Sequence, residues 1–190
     1  MVRLPASLER KLQDLFPRVR ERERFVADAV EQAFEQDDAD ENPIAVGGIL
    51  HLFTDGGSRG NPGQASIGCA LEDPATGTIL KEHMARIGIA TNNVAEYQAL
   101  IEGLKLALDF HPNKLVCHLD SELVVRQLSG EYRVKVPSLQ PLVDEIKELA
   151  AGFAETTFVH IPRSDNHRAD ALVNKALDEL PAPHYERPES

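Results

Sequence analysis

Long apolar runs are missing from this chain. No stretch approaches the roughly 18 consecutive apolar residues of a membrane-spanning helix, so no membrane partner is expected. The opening residues, MVRLPASLERK, lack the apolar core of a secretory signal, and a cytoplasmic location is expected. Cysteine is nearly absent as well. Cys69 and Cys117 fall in separate predicted strands and form no zinc-spacing motif, so they read as two buried free thiols in a reducing compartment. Positive charge is also scarce: 20 Lys and Arg stand against 31 Asp and Glu, a net charge of −11. That balance argues against a protein whose grip on a ligand comes from a broad basic, phosphate-binding face. No internal repeat is present, which removes solenoid architectures.

With 190 residues, the chain can bury one good core plus a small appendage. The stretch FEQDDADENP, ending at Pro43, is acidic and closes on proline, so 36–47 reads as a solvated linker. Before it, in 1–35, Leu8, Leu12, Leu15 and Phe16, then Phe25, Val26, Val30, Ala33 and Phe34, recur at helical spacing on two short segments. With Val2, Arg3 and Leu4 as a short strand ahead of Pro5, this segment resembles a ribbon-helix-helix motif. That resemblance implies a homodimer, because such a unit completes its core by pairing with a second chain; a helical hairpin packed on its own domain is the alternative. The main domain is expected over 48–180, with a loose tail over 181–190. Inside it, strands are predicted at 49–53, 65–71, 78–87, 114–119 and 156–161. Helical stripes run through Leu100, Ile101, Leu104 and Leu108, through Leu139, Leu142, Val143, Ile146 and Leu149, and through Leu172, Val173, Ala176, Leu177 and Leu180.

Four carboxylates occupy structured local settings. Asp55 follows the apolar run ILHLF and precedes Gly-Gly, which places it at a strand tip. Glu96 lies near a helix start, one turn after Thr91, Asn92 and Asn93. Asp120 closes the apolar strand KLVCHL and precedes a helical stretch beginning at Ser121, and Asp170 sits at the start of the last helix. Each has an ordinary explanation too: turn chemistry for Asp55, a capping box with Asn93 for Glu96, a helix cap for Asp120, dipole complementation for Asp170. Gathered in one place they would need a cation, since a single like-charged pair at 4 Å costs about 4 kcal/mol at an effective dielectric of 20. Acidic oxygens without Cys or His partners suit Mg²⁺ or Mn²⁺ rather than zinc.

The motifs TDGGSRGNPG, TNNVAEYQAL, HLDSELVV and RSDNHRADALVNKAL, in that order, resemble type 1 ribonuclease H from about residue 48 to 180. The resemblance implies an α/β fold: a five-stranded mixed sheet flanked by helices. It implies a metal-dependent endonuclease that cleaves the RNA strand of an RNA·DNA hybrid to 5′-phosphate and 3′-hydroxyl ends, with Asp55, Glu96, Asp120 and Asp170 holding two ions. Double-stranded RNA as the substrate, and a binding module of the same fold without catalysis, are the alternatives. Asn61, Asn92 and Asn93 match family positions near the hybrid minor groove, where an amide can both donate and accept; turn and cap chemistry is their other reading. The better-known bacterial enzymes carry an auxiliary histidine in a loop before the fourth carboxylate. Here the stretch is short, IPRSDNH, and Arg163 and His167 are the candidates to replace it. The segment 127–138 is too short for those enzymes' basic substrate-binding protrusion and keeps only Arg133 and Lys135, and Glu122 stands where the family often has Gln. Over 48–180 the charge is 12 Lys and Arg against 18 Asp and Glu. Weak, modestly salt-sensitive hybrid binding is expected.

Overall fold

The computed structural model describes residues 48–179, within the second of two units, Ile44–Ser190, into which the chain divides. The predicted ribbon-helix-helix segment, its homodimer, the acidic linker and the tail lie outside the described residues. The elements are β1 (Ile49–Gly60), β2 (Gly63–Asp73), β3 (Thr78–Ala90), α1 (Asn92–Leu108), β4 (Lys114–Leu119), α2 (Glu122–Leu128), α3 (Gln140–Ala150), β5 (Glu155–His160) and α4 (His167–Glu179). Single 3₁₀ turns precede α3 and α4, at Pro137–Leu139 and Arg163–Asn166. The strands form one mixed sheet in the order β3-β2-β1-β4-β5. β1, β2 and β3 pair antiparallel as a meander; β4 and β5 add in parallel. This is the expected five-stranded architecture.

The first strand departs from the sequence reading. The run after Phe53 reads as a glycine turn, yet β1 continues through it to Gly60, because β2 supplies a partner at every step from His51↔Glu72 to Gly60↔Gly63. The reversal falls instead on Asn61 and Pro62, with Gly60 at φ 105°, a conformation that glycine tolerates and most L residues do not. Parallel pairing of β1 with β4 stops at Thr54↔Leu119. Asp55 is therefore the first residue beyond the point where two parallel strands part, the carboxyl-end crevice in which α/β sheets place their ligands.

Strand periodicity sorts the sheet into two faces. Leu50, Leu52, Cys69, Leu71, Leu115, Cys117 and Leu119 point to one face, where Tyr97, Leu100, Ile101 and Leu104 of α1 and Val143 and Ile146 of α3 complete the core. Each such buried aliphatic side chain contributes about 1.5–3 kcal/mol. α4 lies on the opposite face, and Gly68 is what lets it approach: a Cβ there would fall 2.6 Å from the Ala169 carbonyl oxygen and 2.7 Å from Leu172 Cβ. Cys69 and Cys117 are buried and unpaired, as predicted, and burial pushes the Cys69 thiol up to about 12 and the Cys117 thiol higher. No helix of the described residues is long and apolar enough to cross a membrane.

Candidate active site

Asp55, Glu96 and Asp120 each place a carboxylate oxygen within 4.8 Å of the other two. Three separate elements deliver them: β1 just beyond its parallel pairing, the second turn of α1, and the end of β4. Thr91, whose hydroxyl accepts the Val94 N–H at 3.3 Å, caps α1. The helix begins at Asn92, and Glu96 is consequently not the partner of an Asn93 cap. Ser121 holds the N-cap position of α2, with no side-chain capping bond, so Asp120 is not a cap either. Both carboxylates are left free of the local roles that could have explained them. Gly56 explains how α1 comes so near: a Cβ at this position would lie 2.1 Å from the Ala95 carbonyl carbon and 2.4 Å from the Glu96 nitrogen. Only a hydrogen fits between β1 and the helix backbone there, and that contact sets Glu96 beside Asp55.

The trio is electrostatically costly. Burial first, then the Asp120 and Asp170 charges, pushes Asp55 up to about 6. Burial, then Asp55 and Asp120, pushes Glu96 up to about 9, while Arg163 acts in the opposite direction on both. Glu96 Oε2 and Asp120 Oδ1 are buried without a hydrogen-bond partner. An all-oxygen donor set with unpartnered buried oxygens, in which Asp55 and Glu96 hold protons unusually tightly, fits a hard divalent cation, which would take the place of the missing positive charge.

Folded carboxylates with raised pKa values bind protons more tightly than unfolded ones, so they contribute stability at low pH that is lost as pH rises, over about 4 to 6 for Asp55 and about 4.5 to 9 for Glu96. A divalent ion removes this penalty. The rise in melting temperature on adding Mg²⁺ to the EDTA-treated protein should be larger at pH 8.5 than at pH 5.5; an equal or inverted difference would contradict the assignment.

Asp170, in the first turn of α4, is not part of the close trio but lines the same cleft of about 230 Å³ with Asp55, Glu96, Asp120, Arg163 and Asn174. Both its oxygens are engaged. Arg163 Nη2 donates to Oδ1 at 2.6 Å, and Asn174 Nδ2 donates to Oδ2 at 3.0 Å and to the Asp170 carbonyl at 2.9 Å. Asn166, 1% exposed, donates from Nδ2 to the Thr54 carbonyl at 2.9 Å and so ties the turn before α4 to β1 next to Asp55. Sequence reasoning missed both Asn166 and Asn174. The i,i+4 spacing of Asp170 and Asn174 on one helix face was an available signal for the second; the tertiary bond of Asn166 left none.

The asparagines separate. Asn92 Oδ1 accepts the Ser58 backbone N–H at 2.8 Å, with the Ser58 hydroxyl also at 2.8 Å. Asn61 Oδ1 in turn accepts the Asn92 N–H at 3.3 Å. A backbone N–H can only donate, so in each amide the oxygen is taken up by the protein and the NH₂ remains available to donate. Asn93 is exposed and lines a different cleft, with Tyr132, Arg133, Lys135 and Val136. Of the two candidates for the auxiliary role, Arg163 stands in the carboxylate cleft. His167 lines a separate one with Glu82, Arg168 and Lys175. Glu122 is occupied by Arg126, at 2.7 Å.

Comparison with known proteins agrees with this geometry. Residues 53–176 match the family model described as reverse transcriptase-like. The chain is similar to ribonuclease HI of Halobacterium salinarum, 44% identical over 133 residues that make up 70% of this chain and 66% of that protein. It is also similar to the bifunctional protein Rv2228c of Mycobacterium tuberculosis, 44% identical over 127 residues, 67% of this chain and only 35% of that protein. Among solved structures, LC11-RNase H1 in complex with an RNA/DNA hybrid superposes with a TM-score of 0.65 at 43% identity, covering 68% of this chain and 97% of that one. Fold, carboxylate arrangement and sequence similarity converge, and the chain belongs to the ribonuclease H family.

Proposed function

We propose that this protein is a divalent-metal-dependent endoribonuclease that cuts the RNA strand of RNA·DNA hybrids, leaving 5′-phosphate and 3′-hydroxyl ends. The observation that carries this reading is the convergence of Asp55, Glu96 and Asp120 within 4.8 Å, in a cleft whose rim holds Asp170. Oxygen-only donors favour Mg²⁺, with Mn²⁺ as a substitute. The trio would hold one ion, and Asp55 together with Asp170 a second. Bound there, the pair supplies charge stabilisation at both the attacking and leaving oxygens of an in-line displacement by water.

The protein's own residues supply position. Asn92 lines the carboxylate cleft and Asn61 is hydrogen-bonded to its backbone; the NH₂ groups of both are suited to acceptors on the sugar and base edges of a hybrid minor groove. The Ser58 N–H locks the Asn92 amide in that orientation. Arg59, ion-paired to Asp178 of α4, adds a positive group to the same cleft. Asn93, Arg133 and Lys135 line a neighbouring cleft of about 530 Å³ with Tyr132 and Val136, where the hybrid's second strand can lie. Two buried unpaired thiols suit a reducing cytoplasm. A substrate panel tests the reading. RNA·DNA hybrid should be cut with Mg²⁺ or Mn²⁺, and double-stranded DNA should not. Preferential cutting of double-stranded RNA would keep the chemistry and overturn the substrate.

A further inference from the structure

Asp170 differs from the other three carboxylates in having both oxygens already engaged, one by a cation that belongs to the protein. Arg163 Nη2 lies 2.6 Å from Oδ1 while Asn174 holds Oδ2 at 3.0 Å. Arg163 comes from the 3₁₀ turn that Asn166 anchors to β1, so its backbone is fixed near the cleft. Its side chain is 77% exposed and free to swing. A guanidinium keeps its proton throughout the working range of proteins, so it cannot relay protons as a histidine does. What it brings to the cleft is a permanent charge.

We infer that Arg163 is a built-in counter-ion for the Asp170 half of the site: it holds Asp170 while metal is absent and must give up Oδ1 when an ion binds there. This inference rests on the metal-binding reading above. Three consequences follow from the geometry. The ion held by Asp55, Glu96 and Asp120 meets no resident cation on its oxygens and binds first. The ion that needs Asp170 competes with a positive charge and binds more weakly. Exchange is nonetheless easy, because an exposed ion pair is only marginally stabilising, and Asn174 keeps the carboxylate from rotating away as the guanidinium leaves. Once displaced, the guanidinium remains beside the cleft, a cation available to a phosphate oxygen.

Calorimetric titration of the full chain with Mn²⁺ alone, without nucleic acid, tests this in the wild type, Arg163→Ala and Arg163→Lys. The wild type should take up two ions of unequal affinity. Arg163→Ala should tighten the weaker ion by roughly three- to tenfold, the effect of removing one nearby unit charge after salt screening, and tighten the other, whose Asp55 and Glu96 feel Arg163 without touching it, by clearly less. Arg163→Lys, which keeps the charge, should stay close to the wild type, and Asp170→Asn should lose the weaker ion. Unchanged or weakened binding of the second ion in Arg163→Ala, or equal tightening of both, overturns the inference while leaving the metal-binding reading intact. Failure of the wild type to bind Mn²⁺ at all overturns that reading itself.

Discussion

Asp120→Asn is expected to abolish hybrid cleavage, by about a thousandfold or more, in a protein that folds and binds hybrid as the wild type does. The substitution keeps the shape of the side chain and removes one of the three charges that close on a common point. Asp120 Oδ1 has no hydrogen-bond partner to lose. Its charge also raises the cost of ionising Asp55 and Glu96, so the metal-free variant should melt at the same temperature as the wild type or slightly higher. The missing catalysis corresponds to about 4 kcal/mol of transition-state stabilisation, which is the scale of a metal-centred electrostatic contribution. Single-turnover cleavage, a thermal melt and a hybrid-binding isotherm on the same preparation check it. A variant that retains a tenth of the wild-type rate would show that Asp120 is not a metal ligand.

Gly56→Ala should damage fold and activity together. The added carbon would sit 2.1 Å from the backbone of Ala95, and neither β1, held by its ladder with β2 at Gly56↔Ile67, nor α1, packed on the core, can yield without repacking. Overpacking of this kind costs about 3 kcal/mol or more, a drop in melting temperature of roughly 10 °C for a domain of this size. Any α1 displacement that relieves the clash also carries Glu96 away from Asp55. The neighbouring glycine is the control: at Gly57 a Cβ would meet only the Val173 Cγ1 methyl, at 3.0 Å, so Gly57→Ala should cost about 1 kcal/mol or less. If the two variants melt alike, the close approach at Gly56 does not have the role given to it.

The contrast between these glycines marks where the sequence was legible. Asp120 and Asp170 could be placed because each stands beside an element boundary with a local signature, a serine that opens a helix and a helix start; Asp55 was found from the apolar run that stops before it, although β1 itself runs on to Gly60. The strands were legible as short apolar runs, whereas their assembly into one mixed sheet came with the family resemblance. β1 was cut short at Phe53 because Gly-Gly carries turn chemistry locally, and only pairing with β2, a tertiary fact, holds those residues extended. The requirement for hydrogen at Gly56 arises from Ala95, far along the chain, and has no local trace. Asn61 and Asn92 were recognised as functional candidates, but their donor-only orientation depends on backbone N–H groups of Asn92 and Ser58 that no spacing rule brings together. Glu96 was found for its surroundings, and its ordinary alternative, partner of an Asn93 cap, falls because Thr91 supplies the cap.

The central claim is that the carboxylate cleft directs metal-assisted attack of water on RNA paired to DNA. Its most direct test is to map the ends produced when the full chain cuts a hybrid labelled on its RNA strand, with Mg²⁺ and with EDTA. With Mg²⁺ the products should carry 5′-phosphate and 3′-hydroxyl ends, and EDTA should stop cleavage. Ends carrying a 2′,3′-cyclic phosphate, or cleavage that persists in EDTA, would contradict it.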